Sequence, residues 1–222
     1  MKTREEIVSN WLQRYTGLPL EDFGEHILLT NFNHYVDLFC ELSGVPIEET
    51  TSNMRAVTAN GITMINFGIG SPNAALIMDL LSAVKPSACL FLGKCGGISE
   101  KTHLGDYILP LAGIRGEGTS NDYFPSEVPS LPAFMLQRAV STTLRDNNQD
   151  YWTGTVYTTN RRVWEHDDRF KSAKRVLWLL IWKLQLYSLA VSTIISQQAL
   201  CCWCLIIPWR PRELRRARVT AR

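Results

Sequence analysis

All 14 glycines of this 222-residue chain lie before Ser172. A domain that packs helices onto a sheet must turn tightly between elements, and glycine supplies the positive φ such turns and helix ends demand. Residues 1–171 can close turns of that kind, and residues 172–222 lack the means. Other measures break at the same place. Twenty of the 21 acidic residues precede Ser172, while the segment after it holds nine Lys/Arg, one Glu, four of seven Trp and three of six Cys. Residues 1–171 carry 14 Lys/Arg against 20 Asp/Glu, a net of −6, although the whole chain is +2. The expected division is one α/β domain over 1–171, incomplete at its end, and an aberrant tail over 172–222 that forms no domain. The length does not comfortably hold two domains.

With no concentrated basic face, nucleic acid is not an expected partner. The start, MKTREEIVSNWLQ, has charges where a secretory leader needs an apolar run, so a cytoplasmic protein is expected. The six cysteines follow no framework spacing and read as reduced thiols. Cys201, Cys202 and Cys204 are too crowded for a zinc site, and no metal is expected. The tail run from Val176 to Ile195 approaches the length of a membrane span. Lys183 and Gln185 break it up and the Gln197-Gln198 pair closes it off, and a central Lys costs about 2.5–3.5 kcal/mol on insertion scales. No membrane partner is expected.

Periodicity along the front alternates helix and strand. Residues 4–15 read as an amphipathic helix with Ile7, Trp11 and Leu12 on one face. HILLT at 26–30 reads as a strand, and 33–44 as a helix stopped by Gly44. Asn60-Gly61 between two strand-like runs is a hairpin signal. A helix follows with Ser71 as N-cap and Pro72 at its first position. Then come a buried strand at 88–93, a strand at 106–114, a helix at 131–146 and a strand at 154–159. The fold class is α/β: one domain with a central mixed sheet flanked by helices.

Two Gly-rich turns stand at strand ends. Gly68-Ile69-Gly70-Ser71-Pro72 opens a helix, where backbone N–H groups can approach an anion or a ribose oxygen with no Cβ in the way. Gly93-Lys94-Cys95-Gly96-Gly97 ends a buried strand, the place where open α/β sheets hold ligands. An isolated GxG is more often a plain turn, and a lone Lys94 is as readily solvated.

The order GIGSPNAA, GKCGG, DYILP and then Glu117-Gly118-Thr119-Ser120 within RGEGTSNDYFP resembles the nucleoside phosphorylases and related nucleosidases. TNFNHYV, RGEGTSNDYFP and NRRVWEHDDRF are similar to the AMP nucleosidases among them. The resemblance covers about residues 14–171. It implies a partly barrel-like mixed sheet, a homo-oligomer that is usually a hexamer, and hydrolysis of AMP to adenine and ribose 5-phosphate without cofactor. The implied substrate contacts are Gly68, Gly70, Ser71, Lys94, Gly96, Arg115, Glu117, Gly118, Thr119 and Ser120, with Arg162 and Trp164 further on. Lys94, Arg115, Arg161, Arg162 and Arg14 are candidates for the 5′-phosphate. Trp164 either stacks on the base or packs in a core or interface. His166, Asp167 and Asp168 read as a solvated loop.

The departures matter. Phosphorylases hold inorganic phosphate with a GDPxR loop, where this chain has Thr30-Asn31-Phe32-Asn33-His34-Tyr35. They also place an arginine and a serine around the second glycine turn, where this chain has Phe91 and Lys94. Losing two arginines weakens the case for a phosphate nucleophile and favours water. The carboxylate of a METAT-like motif and the acid of an SD-x-P motif, which the resemblance implies, are absent from the chain, so no catalytic residue is named. Codons compatible with the residues from Val176 to Ser188, read from the third base of each, give AMAIDMETATLF. The run ending in Leu205-Ile206-Ile207-Pro208-Trp209 yields SDHPM in the same way. A frameshift near Lys171 is therefore expected. The alternatives are a phosphate-dependent purine nucleoside phosphorylase, or a truncated chain that binds nucleotide without turnover.

Overall fold

A computed structural model describes residues 2–47, 51–97, 101–103, 105–160, 179–182 and 201–208. The first helix, α1 (Arg4–Thr16), starts on a capping box: the Thr3 hydroxyl accepts from the Glu6 N–H, and the Glu6 carboxylate accepts from the Thr3 N–H. It ends at Gly17 with φ 77°. Leu12 is buried and Val8 and Tyr15 pack beside it, whereas Ile7 and Trp11 are exposed. The inward face is thus set by the stripe at 8, 12 and 15, and the expected pair at 7 and 11 lies about 100° round the helix.

After β1 (His26–Thr30) and α2 (Asn33–Ser43), the hairpin forms as expected. Strands β2 (Arg55–Ala59) and β3 (Ile62–Asn66) are antiparallel, joined by Asn60 at φ 51° and Gly61 at φ 76°. Two positive φ values match the right-handed twist of the flanking strands. Then follow α3 (Ser71–Leu81), β4 (Ala88–Gly97), β5 (Tyr107–Gly116), α4 (Phe134–Asp146) and β6 (Tyr151–Thr159). Two backbone strands, β7 (Leu179–Trp182) and β8 (Cys201–Pro208), complete the sheet. Leu179–Trp182, inside the run weighed above as a membrane span, is a strand. Among the described residues no helix is long and apolar enough to cross a membrane.

The eight strands lie in the order β2-β3-β1-β4-β7-β6-β5-β8, and β8 also pairs with β4. The last five strands therefore close on themselves, which is the partly barrel-like mixed sheet that the resemblance implied. Strands β3, β1 and β4 are parallel, with Thr30 level with Asn66 and Leu92. Side chains alternate across β1 and β3. Ile27, Leu29 and Ile65 join the cluster under α1 and α3, while Leu28 and Met64 join Tyr35, Val36 and Cys40 of α2. Helices thus cover both faces of the parallel part.

At Gly116 a Cβ would overlap the Tyr157 ring and the Thr158 carbonyl on the neighbouring strand. Gly116→Ala is expected to cost about 1–3 kcal/mol through overpacking. The melting temperature followed by circular dichroism should fall by several degrees, at about 2–4 °C per kcal/mol.

Candidate functional site

Because β1, β3 and β4 are parallel and in register, the segments leaving their carboxyl ends emerge side by side. The Asn66 amide donates to Asn33 at 2.6 Å and accepts from the Gly68 N–H at 2.9 Å, tying two of those segments together. Gly68 (φ 79°) and Gly70 (φ 122°) hold conformations that L side chains rarely adopt, so the GIGSP turn needs its glycines.

Two expectations change here. Gly70, not Ser71, occupies the N-cap, so Pro72 follows one position inside the first turn. The Ser71 hydroxyl does not cap the helix. It donates to the Asn160 amide oxygen at 3.0 Å and accepts from the Thr119 hydroxyl at 3.2 Å. The GKCGG stretch is likewise not a turn, since β4 runs through it to Gly97 and pairs Gly96 with Leu180. Strand pairing with β7 and β8 captures the backbone that glycine content alone assigns to a turn. Gly93 still needs to be glycine, because a Cβ there would overlap the Phe91 ring.

Lys94 is exposed, with its ammonium 4.8 Å from the Phe32 ring centroid and 5.5 Å from that of Tyr35. An ammonium over two aromatic faces is held electrostatically by the ring quadrupoles. Phe91 points the other way, fully buried, with its ring 5.8 Å from Phe67. Burial alone pushes the Cys95 thiol far up from its ordinary range, so it stays protonated and unreactive.

The Glu117–Ser120 loop is built by Arg115. Its guanidinium donates to the Ser120 hydroxyl at 2.8 Å and the Asn121 amide oxygen at 2.9 Å. It also donates to the carbonyls of Phe124 at 2.7 Å, Pro125 at 2.5 Å and Val128 at 3.0 Å. Five donors directed at one loop leave Arg115 little capacity for a substrate phosphate. Both carboxylate oxygens of buried Glu117 accept from Ser120, one from its N–H at 3.1 Å and the other from its hydroxyl. Gly118 (φ 93°) and Thr119 remain at the tip. Tyr123 moors the loop to α3 by donating to Asp79 at 3.1 Å. Burial, and then the adjoining Asp79 carboxylate, raise its ionisation well above the usual phenol range.

Asn160 was not singled out from the sequence. It stands just past β6, accepts from Ser71, and donates through its amide to the Glu117 carbonyl. Its signal in the sequence is weak: one polar residue directly after a strand. The structure thus gathers Ser71, Glu117, Thr119, Ser120 and Asn160 into one network. Arg14 is exposed on α1. Arg161, Arg162, Trp164, His166, Asp167 and Asp168 lie outside the described residues. Among the described residues no group of His, Cys, Asp and Glu is arranged to hold a metal ion.

Residues 25–181 match the model of the phosphorylase superfamily. The AMP nucleosidase of Escherichia coli K12 is 30% identical over 199 residues, covering 69% of this chain and 41% of that protein. The chain thus spans less than half the length of this curated relative. The crystal structure of AMP nucleosidase from Bacteroides thetaiotaomicron is 50% identical, with a TM-score of 0.83, covering 95% of this chain and 89% of that one. A purine nucleoside phosphorylase from Toxoplasma gondii, 14% identical with a TM-score of 0.74, covers 90% of this chain and 83% of its own and shares the fold.

Proposed function

This chain belongs to the phosphorylase superfamily, and from that premise we propose that it derives from an AMP nucleosidase, cleaving the N-glycosidic bond of AMP to adenine and ribose 5-phosphate. The observation that carries water over phosphate as nucleophile is Phe91. Where the resemblance puts a phosphate-binding arginine, this chain has a fully buried phenylalanine packed on Phe67. A phosphate dianion needs concentrated positive charge, and neither position where a phosphorylase holds its arginines has one here. The 50% identity to a solved AMP nucleosidase supports the same choice.

In the proposed reaction, water attacks C1′ as the bond to the purine breaks. The water oxygen joins the ribose, one of its protons is lost, and the departing adenine takes up a proton. Gly68, Gly70 and Ser71 hold the sugar side of AMP, with Gly118 and Thr119 closing over it and Gly96 allowing close approach from β4. Arg115, Glu117 and Ser120 build that loop. Lys94 meets the phosphate. The groups that would hold the ribosyl cation and protonate adenine belong to a frame shifted from the one read beyond Lys171. The complete enzyme is proposed to be a cytoplasmic homo-oligomer, hexameric by family, serving purine salvage.

The test is cleavage of AMP in H₂¹⁸O by the frame-restored chain in phosphate-free buffer. Hydrolysis places ¹⁸O on C1 of ribose 5-phosphate. A strict need for added phosphate, with ribose 1,5-bisphosphate as product, would sink the reading. In the same enzyme Lys94→Met is expected to lower kcat/KM for AMP about 10-fold or more and leave adenosine cleavage nearly unchanged, measured by adenine release. Equal loss on both substrates would remove Lys94 from the phosphate.

A further inference from the structure

We infer that Asn160 is a positioning residue: through Ser71 it holds the Thr119 hydroxyl as a hydrogen-bond acceptor for a ribose hydroxyl. The inference rests on the nucleotide reading above and deepens it. Three segments far apart in the chain meet here: the start of α3, the loop after β5 and the end of β6. The Asn160 amide joins them, donating through Nδ2 to the Glu117 carbonyl and accepting through Oδ1 from the Ser71 hydroxyl at 3.0 Å. The Thr119 hydroxyl in turn donates to Ser71 at 3.2 Å. One backbone group sets the sense of the whole run. A carbonyl can only accept, so the N–H side of the Asn160 amide must face Glu117 and its oxygen must face Ser71. An amide oxygen also can only accept, so Ser71 must direct its single proton at Asn160. Ser71 is fully buried, and its oxygen can take a hydrogen bond from Thr119 but give it none. Thr119 therefore turns its own proton inward and keeps its lone pairs for whatever lies outside.

That polarity selects the ligand group. Thr119 is half-buried beside Gly118, and among the described residues no donor reaches its oxygen. An oxygen that can only accept disfavours the oxygens of an anion and matches a neutral donor. On the sugar side of AMP, where the GIGSP turn stands, the donors are the ribose hydroxyls. The other side of the loop is fixed in the same manner. Arg115 donates to Ser120, and Ser120 to the buried Glu117 carboxylate. Both runs converge on Glu117, one at its carboxylate and one at its carbonyl, so the tip is held from two sides. An asparagine suits this position because it offers one donor and one acceptor on a short side chain. An aspartate has no N–H for the Glu117 carbonyl, and an apolar side chain has neither group.

In the 222-residue chain, adenosine, 2′-deoxyadenosine, 3′-deoxyadenosine and adenine are titrated by calorimetry, and thermal unfolding is followed in parallel. Wild type is expected to bind adenosine about 3-fold to 10-fold more tightly than one of the two deoxy analogues, the weight of one neutral hydrogen bond. Asn160→Leu keeps the size of the side chain and frees the Ser71 proton to turn towards Thr119. It should bring adenosine and that analogue within about 2-fold of each other and leave adenine unchanged. Asn160→Ala makes the same change where the leucine variant does not fold. Asn160→Asp still accepts from Ser71 and should keep the preference. Thr119→Val should lose it, and Thr119→Ser, which retains a hydroxyl, should restore it. Equal weakening of adenosine, both analogues and adenine in Asn160→Leu makes the residue a structural one and overturns the proposal. So does an unchanged preference in that variant, or a wild-type chain that binds adenosine and the deoxy analogues alike or not at all. Strictly phosphate-dependent cleavage by the frame-restored chain, by contrast, ends the nucleosidase reading and leaves the acceptor site in place, since the ribose is the same.

Discussion

Restoring the reading frame beyond Lys171 is expected to turn a chain that releases no adenine from AMP above a no-enzyme control into one that turns it over. The effect should span several orders of magnitude. Positioned acid–base groups contribute about 10²–10⁴-fold, and charge stabilisation at a developing cation is of comparable weight. Both carboxyl-bearing motifs that the resemblance implies are missing from residues 172–222 as they stand. They reappear together when the run around Trp178–Gln185 and the run ending in Pro208 are read from the third codon base. Tryptophan has a single codon, TGG, so Trp178 and Trp182 constrain that reading tightly. Sequencing the DNA across codons 172–208 decides the matter before any assay. Codons that forbid METAT and SDHP would refute the frameshift, and adenine release by the 222-residue chain would refute its inactivity.

The front of the chain was legible because its signals are local. The Gly44 stop and the Asn60-Gly61 turn each act over a few residues, and both hold in the structure. The capping box of Thr3 and Glu6 and the stop at Gly17, found in the structure, are signals of the same local kind. What depended on distant partners was harder to read. GKCGG carries the composition of a turn, yet the pairing of β4 with β7 and β8 draws it into the sheet. Ser71 has the chemistry of an N-cap, but Asn160 and Thr119, far away in sequence, claim its hydroxyl. Arg115 reads as a phosphate ligand until the carbonyls of its own loop are seen to converge on it. Asn160 becomes visible once the fold sets its surroundings.

The tail presents the opposite case, a segment with little local sense that still supplies two strands. The proposed shift gives a reason. Leucine, valine and methionine codons ending in TG become, one frame over, codons beginning with TG, many of which encode cysteine or tryptophan. An apolar strand read out of frame can therefore return as Cys201-Cys202-Trp203-Cys204, which is still apolar. Backbone pairing tolerates the change, and β8 runs level with β4 from Ala88 to Cys95. Carboxylates have no such protection. This accounts for a structural likeness to an AMP nucleosidase that covers 95% of the chain, and so extends past residue 171, although the catalytic motifs are gone.

Phe91→Ala is expected to destabilise the chain by about 3–5 kcal/mol, the usual cost of truncating a buried phenylalanine. The ring is fully buried on β4, packs on Phe67 and fills the space beneath Gly93. Phe91 pairs with buried Leu29 of β1, and whatever cavity volume its surroundings do not relieve adds to the lost burial. Against a total stability of about 5–15 kcal/mol, this loss is a large fraction. Urea denaturation should show a lower midpoint with an unchanged slope, the sign of altered stability without altered denatured-state exposure. Phe91→Leu, which keeps most of the volume, should lose much less. The pair of variants also bears on mechanism. If position 91 belonged to an anion site, truncation would leave stability within about 0.5 kcal/mol, as at most surface positions, and the case for water as nucleophile would lose its main support.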